Sequence, residues 1–172
     1  MAFVLDSRLE SSSFFVDDWG LCRVCLKNDK TYPWLYLVPR REAVREIYDL
    51  GLQDQMQLIS EMAAAAQLLN AVYSPAKVNT AALGNMVPQL HVHVLARYNN
   101  DPAWPRPVWA VQATEIPYTE AEKNAEIAKL KSAFQRCGER IRLYVNNDVL
   151  PRALRADGQL RRVHHGSVGC PA

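Results

Sequence analysis

Gln89, His91 and His93, set two residues apart, form the cluster in this chain whose types and spacing best suit group transfer. An imidazole changes charge near neutrality, so one ring can attack as the free base while its neighbour supplies a hydrogen. That division of labour fits phosphoryl or nucleotidyl transfer with a covalent intermediate on one ring. The run Gln89-Leu90-His91-Val92-His93-Val94 alternates polar and apolar residues. In a strand such alternation turns the amide and both imidazoles to one face and Leu90, Val92 and Val94 to the other. Two imidazoles on one face each need hydrogen-bond partners once covered, which makes that face a candidate site. A His-x-His pair can also chelate zinc, but zinc needs a third and usually a fourth ligand. No Asp, Glu or Cys stands at a supporting spacing, so neither a metal nor another cofactor is expected. On the pair alone, two histidines on a half-exposed strand with no chemical task remain an open alternative.

The elements that must position this face can be read from the flanking pattern. Residues 3–38 read as strands. Trp19 to Leu26 and Trp34 to Val38 are joined by the turn residues Asn28-Asp29-Lys30 and closed by Pro39. From Leu52 the apolar residues Met56, Ile59, Ala63 and Ala66 recur at three- and four-residue steps, which predicts a helix burying that stripe. Its end falls near Tyr73, because Pro75 cannot continue a helix and disfavours helical dihedrals at Ser74. A second β section spans Ala76 to Arg97, interrupted at Gly84-Asn85. Thr119-Glu120-Ala121-Glu122 has the spacing of a capping box, so a helix starts there and runs toward Gly138. The expected fold is α+β: an antiparallel sheet packed with the Leu52–Tyr73 helix. Residues 1–112 form the main domain, 113–138 carry the C-terminal helix and 139–172 form a tail.

Composition narrows the function classes. The chain has 172 residues with 49% apolar and 22% charged content and a formal charge of +2, ordinary values for one globular domain. The positive excess lies in the tail, where six Arg from Gly138 onward outnumber Glu139, Asp148 and Asp157. No bulk field argues for nucleic acid. No stretch approaches the roughly 18 apolar residues of a membrane span, and Asp6, Arg8 and Glu10 interrupt where a secretory signal is apolar. A cytoplasmic protein is the expectation. Cys22-Arg23-Val24-Cys25 sits within a predicted strand, where an odd separation sends the thiols to opposite faces, so both read as small core residues. His164-His165 with Cys170 is an equally incomplete ligand set. No Walker A motif, Gly-x-Gly-x-x-Gly loop or Gly-x-Ser-x-Gly elbow is present.

His91-Val92-His93-Val94-Leu95, approached through Gly84-Asn85-Met86-Val87-Pro88, resembles the second half of the signature of the histidine-triad (HIT) family. Asn28 and the Leu37-Val38-Pro39 strand end are similar to the family's nucleoside-contacting region. Lys77-Val78-Asn79, together with Asp101, Trp104 and Trp109, extends the resemblance to a bacterial, diadenosine-polyphosphate-hydrolase-like branch. It covers roughly residues 5–110. The resemblance implies a homodimer joined edge to edge, and a nucleotide as the small-molecule partner. It also implies that His91 attacks the α-phosphate to form a nucleotidyl-histidine, that His93 supports the leaving group, and that the carbonyl at Gln89 orients the nucleophile. Asn28, Asn79 and Asn85 are the residues it places near ribose and phosphate. The implied reaction is hydrolysis of a dinucleoside polyphosphate or related nucleotidyl ester.

Three departures keep other functions in view. Gln89 replaces the first histidine of the triad, Met86 stands where many members carry Ser or Thr, and Trp34-Leu35 replace a Gly-His pair. A nucleotide-sensing protein without useful turnover, and a nucleotidyltransferase or phosphoramidase, are the alternatives. On residue type alone Asn28 and Asn79 also suit turns or strand edges. Arg97 and Arg106 suit phosphates or an ordinary surface. Trp34, Trp104 and Trp109 suit base stacking, the core or a dimer.

Overall fold

A computed structural model describes residues 3–111 and 114–136. The expected tail (139–172), with His164, His165 and Cys170, lies outside the described residues, as does the predicted helix end at Gly138.

Five antiparallel strands form one sheet: β1 (Ser13–Asp18), β2 (Cys22–Lys27), β3 (Trp34–Pro39), β4 (Lys77–Ala82) and β5 (Val92–Arg97), in spatial order β1-β2-β3-β5-β4. Among the described residues the α-helices are α1 (Ser7–Ser11), α2 (Leu52–Tyr73) and α3 (Glu120–Arg136). The architecture is α+β, as expected. The N-terminal stretch differs from an unbroken run of strands. Asp6 accepts a hydrogen bond from the Arg8 N–H at 2.9 Å and caps α1, a local use of aspartate that competes with extended structure. β5 also begins later than the alternation suggests, at Val92, with His91 immediately before it.

The predicted ends of α2 agree with the structure, and its buried face does not. Its C-terminus is closed by Ser74 in the left-handed region (φ 44°), whose N–H reaches the Asn70 carbonyl before Pro75. Most of the expected stripe faces outward: Ile59 is 59% exposed, and Leu52 and Met56 are exposed with it, while Ala66 packs against the core. The helix instead buries Gln57, Leu58, Glu61, Ala64, Ala65, Leu68 and Leu69. Glu61 explains the shift. It is 0% exposed, and its two carboxylate oxygens accept the backbone N–H groups of Leu21 and Cys22 at 2.7 and 2.8 Å, with Gln57 Nε2 at 2.8 Å. A residue that reads as polar is the clasp between helix and sheet. Glu61→Leu leaves two buried N–H groups without acceptors, each costing about 1–3 kcal/mol. Urea denaturation should show a loss of about 2–5 kcal/mol, and a loss below about 1 kcal/mol would mean that water replaces the carboxylate.

The sheet carries a core on each face. One gathers Val24, Leu35, Leu37, Val92 and Val94 under α2, with Leu130 and Ala133 of α3. α3 begins at the expected capping box, the Thr119 and Glu122 side chains each accepting the other's backbone N–H, and Phe134 stacks on Trp19 at 5.2 Å. The other face gathers Cys25, Trp34, Tyr36, Val38 and Leu95 with Leu9 of α1. Cys22 and Cys25 fall in the first and second core respectively, as their odd spacing requires, and both are free thiols. Among the described residues no helix is long and apolar enough to cross a membrane.

Candidate active site

The second face opens into a cleft of about 480 Å³. Its floor comes from neighbouring strands, because β3 pairs with β5 so that Tyr36 lies opposite His93. His91 and His93 both line it, their rings 4.9 Å apart. Each is largely covered, with exposures of 7% and 8%. The two-residue repeat thus brings both imidazoles to one side, as the alternation predicts. Tyr36 meets both rings edge-on, at 5.7 Å from His91 and 5.0 Å from His93. Trp34 and Trp109 meet His93 at 5.5 Å each.

Two obligate partners fix how the rings carry their protons. His91 Nδ1 lies 2.8 Å from the Gln89 carbonyl oxygen. A carbonyl only accepts, so Nδ1 holds a hydrogen, and in the neutral ring Nε2 keeps its lone pair. His93 Nδ1 lies 3.1 Å from Trp34 Nε1. An indole nitrogen only donates, so here Nδ1 keeps the lone pair and Nε2 holds the hydrogen. Among the described residues neither Nε2 has a hydrogen-bond partner. The cleft therefore holds one basic nitrogen beside one N–H donor. Burial first, then the neighbouring His91 and Lys27, push His93 from its ordinary 6.5 down to about 3, so its ring is neutral at physiological pH.

The loop Leu83–Val87 walls one side, turning at Gly84 with φ +67°, a left-handed conformation natural to glycine. Asn85 lines the cleft there, and Met86 does so while largely exposed. Arg8 of α1 ties this loop down by donating to the Met86 carbonyl at 2.7 Å. Lys27, which also lines the cleft, forms an ion pair with Glu115 and sits over the Trp34 ring at 5.4 Å. Lys27, Tyr36 and Glu115 were not signalled by any motif. Their place depends on strand register and on a segment some ninety residues further along the chain. The only sequence hint is that Lys27 shares the alternation of Cys25.

Other expected site residues do structural work. The Gln89 side chain does not line the cleft. Its Oε1 accepts the Asp6 N–H at 2.8 Å and its Nε2 donates to the Val4 carbonyl at 2.9 Å, so the expectation of an amide pointing into the pocket is corrected. Asn28 Oδ1 accepts the Tyr118 N–H at 2.9 Å, and Asp29 Oδ1 accepts that of Ile116 at 3.1 Å. Together they dock the segment that brings Glu115 to the cleft. Asn79 lies on the histidine face of β4, but its Oδ1 accepts from Arg97 at 2.9 Å. Arg97 is 1% exposed and bound to Asp101, which removes it from phosphate contact. Among the described residues, no group of three or more His, Cys, Asp or Glu side chains is placed to hold a metal.

Similarity to known proteins follows the same region. Residues 8–100 match the family model for the HIT domain. A histidine triad protein from Marinobacter aquaeolei shares 43% identity over 79% of this chain and 98% of its own, with a TM-score of 0.75. A HIT protein from Sinorhizobium meliloti shares 40% over 76% and 96%, with a TM-score of 0.73. A histidine triad nucleotide-binding protein from Sulfolobus tokodaii, described as hypothetical, shares the fold at 10% identity, with 81% and 95% covered and a TM-score of 0.59. No curated protein matches the chain.

Proposed function

Because the chain belongs to the HIT domain family, we propose that it hydrolyses a dinucleoside polyphosphate or a related nucleotidyl ester through a covalent nucleotide on His91. The observation that carries this is the Gln89 carbonyl at 2.8 Å from His91 Nδ1. In the neutral ring it leaves the lone pair on Nε2, held in a covered cleft, which is what a nucleophile toward phosphorus requires. The carbonyl belongs to the backbone, so glutamine in place of the first histidine retains it. His93 donates from Nε2 to the departing oxygen, and Lys27 adds positive charge where the phosphates would lie. Asn85 is the best placed of the three asparagines to touch substrate, while Asn28 and Asn79 contribute by holding the walls. Leu9, Trp34 and Trp109 give apolar surface for a base.

Incubation of the full chain with diadenosine tetraphosphate should release a nucleoside monophosphate. Rapid quenching should give a mass increase of one nucleotide at His91. Tight binding with no product and no adduct would instead mark a nucleotide sensor.

The protein acts as a cytoplasmic homodimer in this proposal. Free, buried thiols at Cys22 and Cys25 suit a reducing compartment. The second copy suits the outward stripe of Leu52, Met56 and Ile59 on α2, beside the open edge of β4. Ile59→Glu should halve the mass seen by light scattering with little loss of thermal stability. A monomeric wild type would remove the dimer.

A further inference from the structure

Trp34, given above only the part of apolar surface for a base, also makes the sole protein hydrogen bond described for the His93 side chain. The other groups around that ring are His91, Tyr36 of β3, Trp109, and Lys27 of β2, whose charge is paired with Glu115. None offers His93 Nδ1 a competing hydrogen bond. A protonated ring would set its Nδ1–H against the indole N–H, two donors 3.1 Å apart. The bond therefore opposes the imidazolium near neutral pH as well as the other neutral form. Burial and the charge of Lys27 act in the same direction.

A neutral imidazole N–H stabilises developing negative charge but has no proton to give away near pH 7. We infer that Trp34 is a positioning residue that restricts the site to substrates whose leaving group departs as an anion, phosphoanhydrides rather than phosphoramidates. This rests on the hydrolase function proposed above and names its substrate class. In an anhydride, His91 Nε2 donates its electron pair to phosphorus while the bond from phosphorus to the bridging oxygen breaks. The released pair stays on that oxygen, which leaves as a phosphate anion with the His93 Nε2–H bonded to it, and no proton moves. Water then bonds to phosphorus, the phosphorus–nitrogen pair returns to His91, and the proton of the water passes to solvent. In a phosphoramidate the departing nitrogen must gain a proton before it can leave as an amine. Held as it is, His93 cannot supply one.

The test combines histidine ¹⁵N NMR with paired substrates, all on the full chain. In the wild type His93 should show a bare Nδ1 and a protonated Nε2, with no titration above about pH 4. Trp34→Phe keeps an aromatic ring but removes the donor, and should move the His93 midpoint up by about one unit. Trp109→Phe alters a ring at the same distance with no hydrogen bond to His93, and should leave the tautomer as it was. Diadenosine tetraphosphate should be cleaved at least roughly 100-fold faster than adenosine phosphoramidate by the wild type. That ratio should shrink in Trp34→Phe. A protonated His93 Nδ1 in the wild type, or a phosphoramidate turned over as fast as the anhydride, overturns the inference while leaving the hydrolase intact. The wild-type measurements decide even if the variant does not fold. Turnover of neither substrate, with no adduct on His91, removes the hydrolase and the substrate restriction together.

Discussion

His91→Ala should reduce turnover of diadenosine tetraphosphate by roughly 10⁴-fold or more, with the nucleotide adduct lost altogether. The size of the effect follows from the division between the two rings. His93 holds its hydrogen on Nε2 because Trp34 claims Nδ1, so it cannot take over as nucleophile. Tyr36, whose hydroxyl burial drives well above the ordinary range, stays protonated and is no substitute. Lys27 is held by Glu115. Gln89→Ala is the informative companion. Its carbonyl still faces His91, so the adduct should form, whereas the ties to Val4 and Asp6 vanish. Quenched-flow kinetics with intact-mass analysis would separate the two variants. An undiminished rate in His91→Ala would end the covalent mechanism.

Arg97→Met should cost about 3–5 kcal/mol of stability near neutral pH, the usual consequence of leaving one member of a buried ion pair alone. The Arg97 fork gives Asp101 two hydrogen bonds at 2.7 and 2.9 Å, and both side chains are almost fully covered. The same guanidinium serves Asn79 and the Arg106 carbonyl, so β4, β5 and the following loop share one anchor. Burial by itself would raise the Asp101 pKa, but the bonds from Arg97 and from the Tyr98 and Ala103 N–H groups hold it below 3.8. A carboxylate so depressed stabilises the fold above its unfolded value and loses that contribution as the pH falls through the folded one. In Arg97→Met, Asp101 is left with burial and two N–H donors, and its pKa rises. The deficit against wild type should therefore be greatest at neutral pH and narrow as the pH falls below about 4. Urea denaturation at the two pH values measures this. A deficit below about 1 kcal/mol, or one that widens in acid, would show that solvent rather than Arg97 satisfies Asp101.

Both expectations concern residues whose neighbours are distant in sequence, and there the sequence by itself runs out. It determined the ends of α2, because no Gly or Pro interrupts 52–73 and Pro75 follows. It determined the start of α3 from the Thr119–Glu122 box, and the common side of His91 and His93 and the opposite sides of Cys22 and Cys25 from the strand period. Each of these follows from backbone geometry acting over a few residues. The tertiary structure alone decided which stripe of α2 is buried, because Glu61 becomes a core residue only where the Leu21 and Cys22 N–H groups meet it. It decided that Asn28, Asn79 and Gln89 brace walls, since their acceptors are taken by Tyr118, Arg97 and the N-terminal segment. It likewise set the proton positions in the cleft, through an indole 59 residues away from His93 along the chain. The physical reason is common to all three. Periodicity says which way a side chain points, but a hydrogen-bond partner exists only once strand order and register have been chosen.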